Sequence, residues 1–165
     1  QDLDEVTVMD QQDRSTTLTR IDIKTLDMLP TVTGNIEGIL ATLPGVSTRD
    51  ELSSQYSVRG GNFDENLVYV NDIEINRPFL IRSSQQEGMS FINPDMVSSI
   101  KFSAGGFESS YGDKMSSVLD IVYRRPYEFA GSASISLLGG SVHLEGASKN
   151  GRFTHISGFM LFPVK

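Results

Sequence analysis

Past Pro126 the chain alternates strictly: Ser132, Ser134 and Ser136 take every second position, with Ala133, Ile135 and Leu137 between them. Successive side chains of a strand point to opposite sides, so the pattern predicts a strand with one polar and one apolar face. After a break at Gly139 and Gly140 the alternation resumes, with Val142 and Leu144 set against His143 and Glu145. Asn150-Gly151 then marks a hairpin into a further strand over residues 152–162. Ladders with small polar residues on one face are the pattern of transmembrane barrel strands, at roughly 10 residues per crossing. A soluble sheet is the competing reading. The stretch after Pro126 holds only a few such strands, so no barrel closes within it. Their open edges call for the rest of a barrel in the same polypeptide, or for another chain that covers them.

Upstream the texture differs. Ile36, Ile39, Leu40 and Leu43 fall at i, i+3, i+4 and i+7, which predicts a core-packing helix over residues 34–43, capped by Thr33 and ended by Pro44-Gly45. Short strands are expected over residues 56–58, 67–70 and 73–75, the last two joined across Asn71-Asp72, whose side chains tolerate positive φ. Asn93-Pro94-Asp95 has the form of a helix start, with Asn as cap and Pro at the first position, leading into Met96 and Val97. A strand over residues 100–102, a glycine-rich crossing through Gly105, Gly106 and Gly112, and a last strand over residues 118–123 follow. Residues 9–24 read as a loop with one short strand anchored by Leu18, Ile21 and Ile23, and residues 3–8 as an extended segment. Interleaved strands and short helices make this an α+β domain that ends near Arg124-Arg125-Pro126.

Composition removes several function classes. The net charge of -7 argues against a nucleic-acid partner, which normally meets a basic face. Without cysteine there is no disulfide, thiolate metal site or cysteine nucleophile. No apolar run approaches the roughly 18 residues of a spanning helix. Gln1 opens directly into polar sequence, so any export signal is expected to have been removed or left out. The glycines lack the strand-loop-helix frame and lysine of a phosphate-binding loop. His143 and His155 lack metal-ligand spacing and read as lumen-facing or interface side chains. Acidic pairs such as Asp64 and Glu65 are not singled out as an acid and base. No catalytic residue, metal or cofactor is expected.

The order of motifs resembles the plug of TonB-dependent outer-membrane receptors: Leu43-Pro44-Gly45-Val46, Ser57-Val58-Arg59-Gly60, Val68-Tyr69-Val70-Asn71-Asp72-Ile73, then Tyr111-Gly112 and Val118-Leu119-Asp120-Ile121. The resemblance covers about residues 29–123, and the ladder follows where the family's barrel begins. Asp4, Glu5, Val6, Thr7 and Val8 are similar to the TonB box, the periplasmic segment that pairs with TonB by strand addition. The chain departs from many members by carrying Phe102-Ser103-Ala104-Gly105-Gly106 in place of an Arg-Gly-Pro element. The stretch from Gly105 to Ser117 resembles instead a branch whose members often carry an extra periplasmic domain ahead of the plug.

The resemblance implies a division into a coupling segment (1–10), a plug of mixed β-sheet and short helices (11–126) and the opening antiparallel strands of a transmembrane barrel (127–165). It implies an outer-membrane location, with the plug in the barrel lumen facing the periplasm, and a transport role in which the plug gates the barrel and helps to bind a nutrient. Partners would be the barrel, TonB and an extracellular nutrient, and a surface lipoprotein is left open as a further one. Arg59 is expected to pair with a barrel carboxylate. Ligand loops are expected at Asn62, Phe63, Asp64, Glu65 and Asn66, and at Arg77, Phe79 and Arg82. The alternative is a free-standing plug-like subunit that seals or gates a separate barrel.

Overall fold

The computed structural model describes residues 18–23, 36–48, 55–76, 79–82, 86–136 and 139–161. The elements run β1 (Thr19–Ile21), α1 (Ile36–Leu40), β2 (Val46–Thr48), β3 (Tyr56–Val58), a 3-10 turn (Phe63–Glu65), β4 (Asn66–Val70) and β5 (Ile73–Glu74). They continue with β6 (Phe79–Arg82), β7 (Gln86–Ser90), a second 3-10 turn (Pro94–Met96), β8 (Val97–Ser103), β9 (Ser117–Tyr123), β10 (Ala130–Ser136), β11 (Gly139–Ala147) and β12 (Thr154–Leu161). The extended segment expected at 3–8, the Thr33 cap and Arg77 lie outside the described residues.

A five-stranded sheet in the order β1-β8-β9-β4-β5 forms the centre. The β4–β9 pair is parallel and the other pairs are antiparallel, so the sheet is mixed as expected. Helix α1 buries Ile36, Ile39 and Leu40 in one cluster with Val58, Val68, Ile100, Leu119 and Ile121, and Leu43 packs at its margin. The predicted apolar stripe is thus the one that docks, on a shorter helix. Beyond Leu40 the chain tightens into three-residue turns: the Thr42 amide donates to Ile39 O at 2.9 Å and the Leu43 amide to Leu40 O at 3.0 Å. Pro44 disfavours helical geometry at Leu43, and Gly45, at φ 83°, makes the reversal that only glycine adopts freely.

Asn71 and Asp72 close the β4–β5 hairpin with φ of 49° and 64°, the two positive values a two-residue turn of this twist needs. The expected helix after Asn93 is a single turn. Its cap forms, the Asp95 amide donating to Asn93 Oδ1 at 3.0 Å, but the chain passes directly into β8 because β9 pairs with that segment from Val97 onward. Strands β2, β6 and β7 were not evident from the sequence. Strand β2 completes a two-stranded ribbon with β3, and β6 pairs with β7.

Strands β10, β11 and β12 form an antiparallel ladder. Gly139 and Gly140 are paired residues of β11 and not a break, opposite Ser136 and Ile135. Asn150-Gly151 lies in the β11–β12 hairpin as predicted, with Gly151 at φ 63°. Its two faces are buried in the reverse of the order a soluble sheet adopts. His143 (3% exposed) and Glu145 (8%) are buried, while Ile135 (94%), Phe159 (65%) and Leu161 (72%) stand open. Among the described residues no helix is long and apolar enough to cross a membrane, which says nothing of spanning strands.

Glu37 on α1 is 6% exposed, and burial pushes its pKa up to about 7 against smaller opposing hydrogen bonds from its backbone and the Ser90 side chain. Its Oε2 has no hydrogen-bond partner. In the unfolded chain the carboxyl ionises near its ordinary value, so between about pH 4.5 and 7 the unfolded state alone loses the proton and folding weakens as pH rises. Glu37→Gln is therefore expected to raise unfolding free energy by about 3 kcal/mol at pH 8 and to change it little at pH 4, in denaturant melts at the two pH values.

Candidate functional site

The loops that leave the ends of β3 and β8 come together beside the start of β9. Asn66, the first residue of β4, is buried and holds them: its Nδ2 donates to Tyr56 O at 2.7 Å, and its Oδ1 accepts from Ser117 Oγ at 2.8 Å. One residue earlier, Glu65 Oε2 accepts from Ser116 Oγ at 2.7 Å and Glu65 O from the Ser116 amide at 3.2 Å. Lys114 Nζ donates to Asp64 O at 2.7 Å. Gly61 is required here, because a Cβ at this position would fall 1.8 Å from Ser116 Oγ. The first loop and the segment 114–117 are thereby one body.

Asn62, Phe63 and Asp64 are left on its exposed side. Of the five loop residues expected to meet a ligand, three therefore face outward, whereas Glu65 and Asn66 turn inward as clamps. Phe79 and Arg82 lie on β6, in the β6–β7 ribbon. Arg59 is exposed and sits at φ 50°, its amide donating to Gly45 O at 2.8 Å. The side chain runs past Gly45, and its Nη1 lies 3.5 Å from where a Cβ on Gly105 would stand. No carboxylate among the described residues forms an ion pair with it, so the guanidinium is presented outward. The serines at 116 and 117 had no sequence signal, since short polar residues ahead of a strand are ordinary turn material.

A second polar group lies under Tyr111. Asp120 is 8% exposed in the middle of β9; burial raises its pKa, with Lys101, opposite it on β8, acting against that. The rings of Tyr111 and Tyr69 meet edge to face at 5.5 Å above it. Among the described residues no group of three acidic or histidine side chains is placed to hold a metal.

The family profile described as TonB-dependent Receptor Plug Domain matches residues 4–118. The chain belongs to that family. In fold the plug is similar to a point variant of the ferric enterobactin receptor of Pseudomonas aeruginosa in complex with enterobactin, at 17% identity and a TM-score of 0.54, over 82% of this chain and 23% of the receptor. A second variant of the same receptor, also with enterobactin, matches at 17% identity and a TM-score of 0.52 over 81% and 23%. This chain thus spans about a quarter of the length of those receptors. No curated protein matches it in sequence.

Against the plug, the ladder presents its polar face. Ser132 Oγ donates to Asp95 Oδ2 at 2.7 Å, and His143 Nε2 lies 3.4 Å from Glu145 Oε2 without hydrogen-bond alignment. His143 therefore lies on the buried, polar face of the ladder. His155 lies on the opposite face, against Gly146 and stacked on Phe153 at 6.2 Å.

The clamp separates two kinds of loop residue by stability. Asn66→Ala removes both buried bonds and is expected to cost about 3 kcal/mol in denaturant unfolding, whereas Asn62→Ala should stay within about 0.5 kcal/mol.

Proposed function

We propose that this chain is the plug and the opening barrel strands of a TonB-dependent outer-membrane transporter, which closes the lumen, helps to bind an extracellular nutrient and is rearranged when TonB pulls on its N-terminal segment. The observation that carries this reading is the reversed burial of the ladder: Ile135, Phe159 and Leu161 face outward while His143 and Glu145 face the plug. Apolar side chains on the outside and polar ones within are what a strand needs between lipid and a filled lumen. The segments divide as 1–10 for coupling, 11–126 for the plug and 127–165 for the barrel.

In this reading residues 4–8 add as a strand to the periplasmic domain of TonB, through main-chain hydrogen bonds that leave side-chain identity largely free. Arg59, open at the plug surface, pairs with a carboxylate of the barrel wall and fixes the closed state. Asn62, Phe63 and Asp64, joined by Arg77, Phe79 and Arg82, offer an aromatic face between amides and charges to a polar nutrient. Ferric enterobactin, for which the similar receptor is named, is one such nutrient, and a surface lipoprotein covering the mouth is compatible with the same arrangement. The role is binding and gating, with no bond made or broken.

The polypeptide that contains this chain, probed with an antibody against residues 18–126 in isolated outer membranes, should run as a large band whose mobility changes on boiling. A small band near 18.1 kDa would instead identify a free-standing plug on a separate barrel. Strand addition makes a second prediction. Val6→Pro, which removes a main-chain donor, should weaken binding of the TonB periplasmic domain by about tenfold or more in calorimetry, while Val6→Ile keeps it.

A further inference from the structure

We propose that the turn at residues 93–96 is the fixed seat of the plug on the barrel wall, with Gly158 as its socket and the Asp95–Ser132 hydrogen bond as its latch. The inference rests on the transporter reading and adds to it the element that stays in place when the plug opens.

The turn is organised from both sides. Within the plug, Asn93 is 4% exposed and its Oδ1 holds the Asp95 amide at 3.0 Å, while the Arg124 amide, on the chain leading to β10, donates to Met96 O at 2.8 Å. From the ladder, Ser132 Oγ reaches Asp95 Oδ2 at 2.7 Å. Gly158 supplies the space: a Cβ there would lie 2.5 Å from Met96 Sδ and 2.9 Å from Asn93 Nδ2. Ser132 and Gly158 are the two cross-strand neighbours of buried His143, so β10, β11 and β12 each give one residue to the same patch of the polar face. A bare backbone on one strand, a hydroxyl on another and a preformed turn between them thus meet at one patch, which is partly open to solvent.

The seat lies at one end of β8 and the pull arrives at the other. Strand β8 begins at Val97, directly after the turn, whereas β1 enters its pairing at Thr19, opposite Phe102. A load on the N-terminal segment therefore runs along the β1–β8 pairing while the seat holds β8. That pairing spans three residues at a sheet edge, and it includes Arg20 directly opposite Lys101, a like-charge pair that weakens it. Strand β1 is the part that leaves; β8, β9 and the seat remain on the wall.

The test uses the full-length polypeptide in outer membranes and reads the seal by entry of the cephalosporin nitrocefin, through a periplasmic β-lactamase. Gly158→Leu should unseat the turn and raise entry by about tenfold. Ser157→Leu, on the outward face of the same strand, should leave entry at the native level. Met96→Ala, which vacates a side chain of similar size, should restore the seal of Gly158→Leu. A normal heat-modifiable band with no leak in Gly158→Leu, or a leak that Met96→Ala leaves unchanged, overturns the seat alone. Absence of the polypeptide from the outer membrane overturns the transporter reading and the seat with it.

Discussion

The parallel pairing of β4 with β9 is the constraint on which the rest of the plug depends. Parallel neighbours cannot be joined by a short turn, so everything from β5 to β8 is spent on the connection between them. The pairing starts at Asn66 opposite Ser117, and those two residues also bond through their side chains. Asn66 thus sets the register of the central pair and carries the loop on Tyr56 at the same time. A slip of one residue would turn Val68 and Leu119 out of the core, so a buried amide at the first step is well placed to forbid it.

Once that sheet is fixed, α1 and the ladder lie against it under opposite rules. Helix α1 meets it with Ile36, Ile39 and Leu40, as any core helix does. The ladder meets the plug through hydroxyl, imidazole and carboxylate groups and keeps its aliphatic and aromatic side chains outside. In water the second arrangement would be costly, since each large side chain left open forgoes roughly 2 kcal/mol of burial. A hydrocarbon surround removes that cost, which is why the reversed face speaks for a membrane more directly than the strand pattern does.

How much of this was legible in the sequence follows from where the signals are local. The apolar stripe of α1, the Asn71-Asp72 hairpin, the Asn93 cap and the serine ladder each rest on a spacing or on one residue's backbone freedom, and each stands in the structure. Both helices end sooner than expected, at Leu40 and Met96, because a proline in one case and pairing by β9 in the other stops them. Strand β2 is too short to show a period, and the sequences of β6 (Phe79-Leu80-Ile81-Arg82) and β7 (Gln86-Glu87-Gly88-Met89-Ser90) do not alternate between apolar and polar residues. Glu65 and Asn66 read as loop residues because nothing in a sequence reveals that Ser116 and Ser117, far along the chain, will lie beside them. The candidate loop was therefore half legible: its place between β3 and β4 was read, but its inward and outward residues were not distinguished.

Strand pairing gives the central sheet a gradient of strength from its β1 edge inward. Buried side-chain atoms without a hydrogen-bond partner occur on both sides of it, Glu37 Oε2 towards the N-terminus and Asn93 Nδ2 and Asp120 Oδ1 towards the C-terminus. Burial of such groups costs about 1–3 kcal/mol each on either side and so does not set the gradient. At the edge β1 pairs over three residues, with Arg20 opposite Lys101. On the C-terminal side β8 and β9 pair over seven-residue strands and bury Ile100, Phe102, Leu119 and Ile121 between neighbours. Cooperative units open in order of their stability, so β1 is expected to open before the β8–β9 pair. The Asn66–Ser117 register lies away from that edge, between β9 and β4.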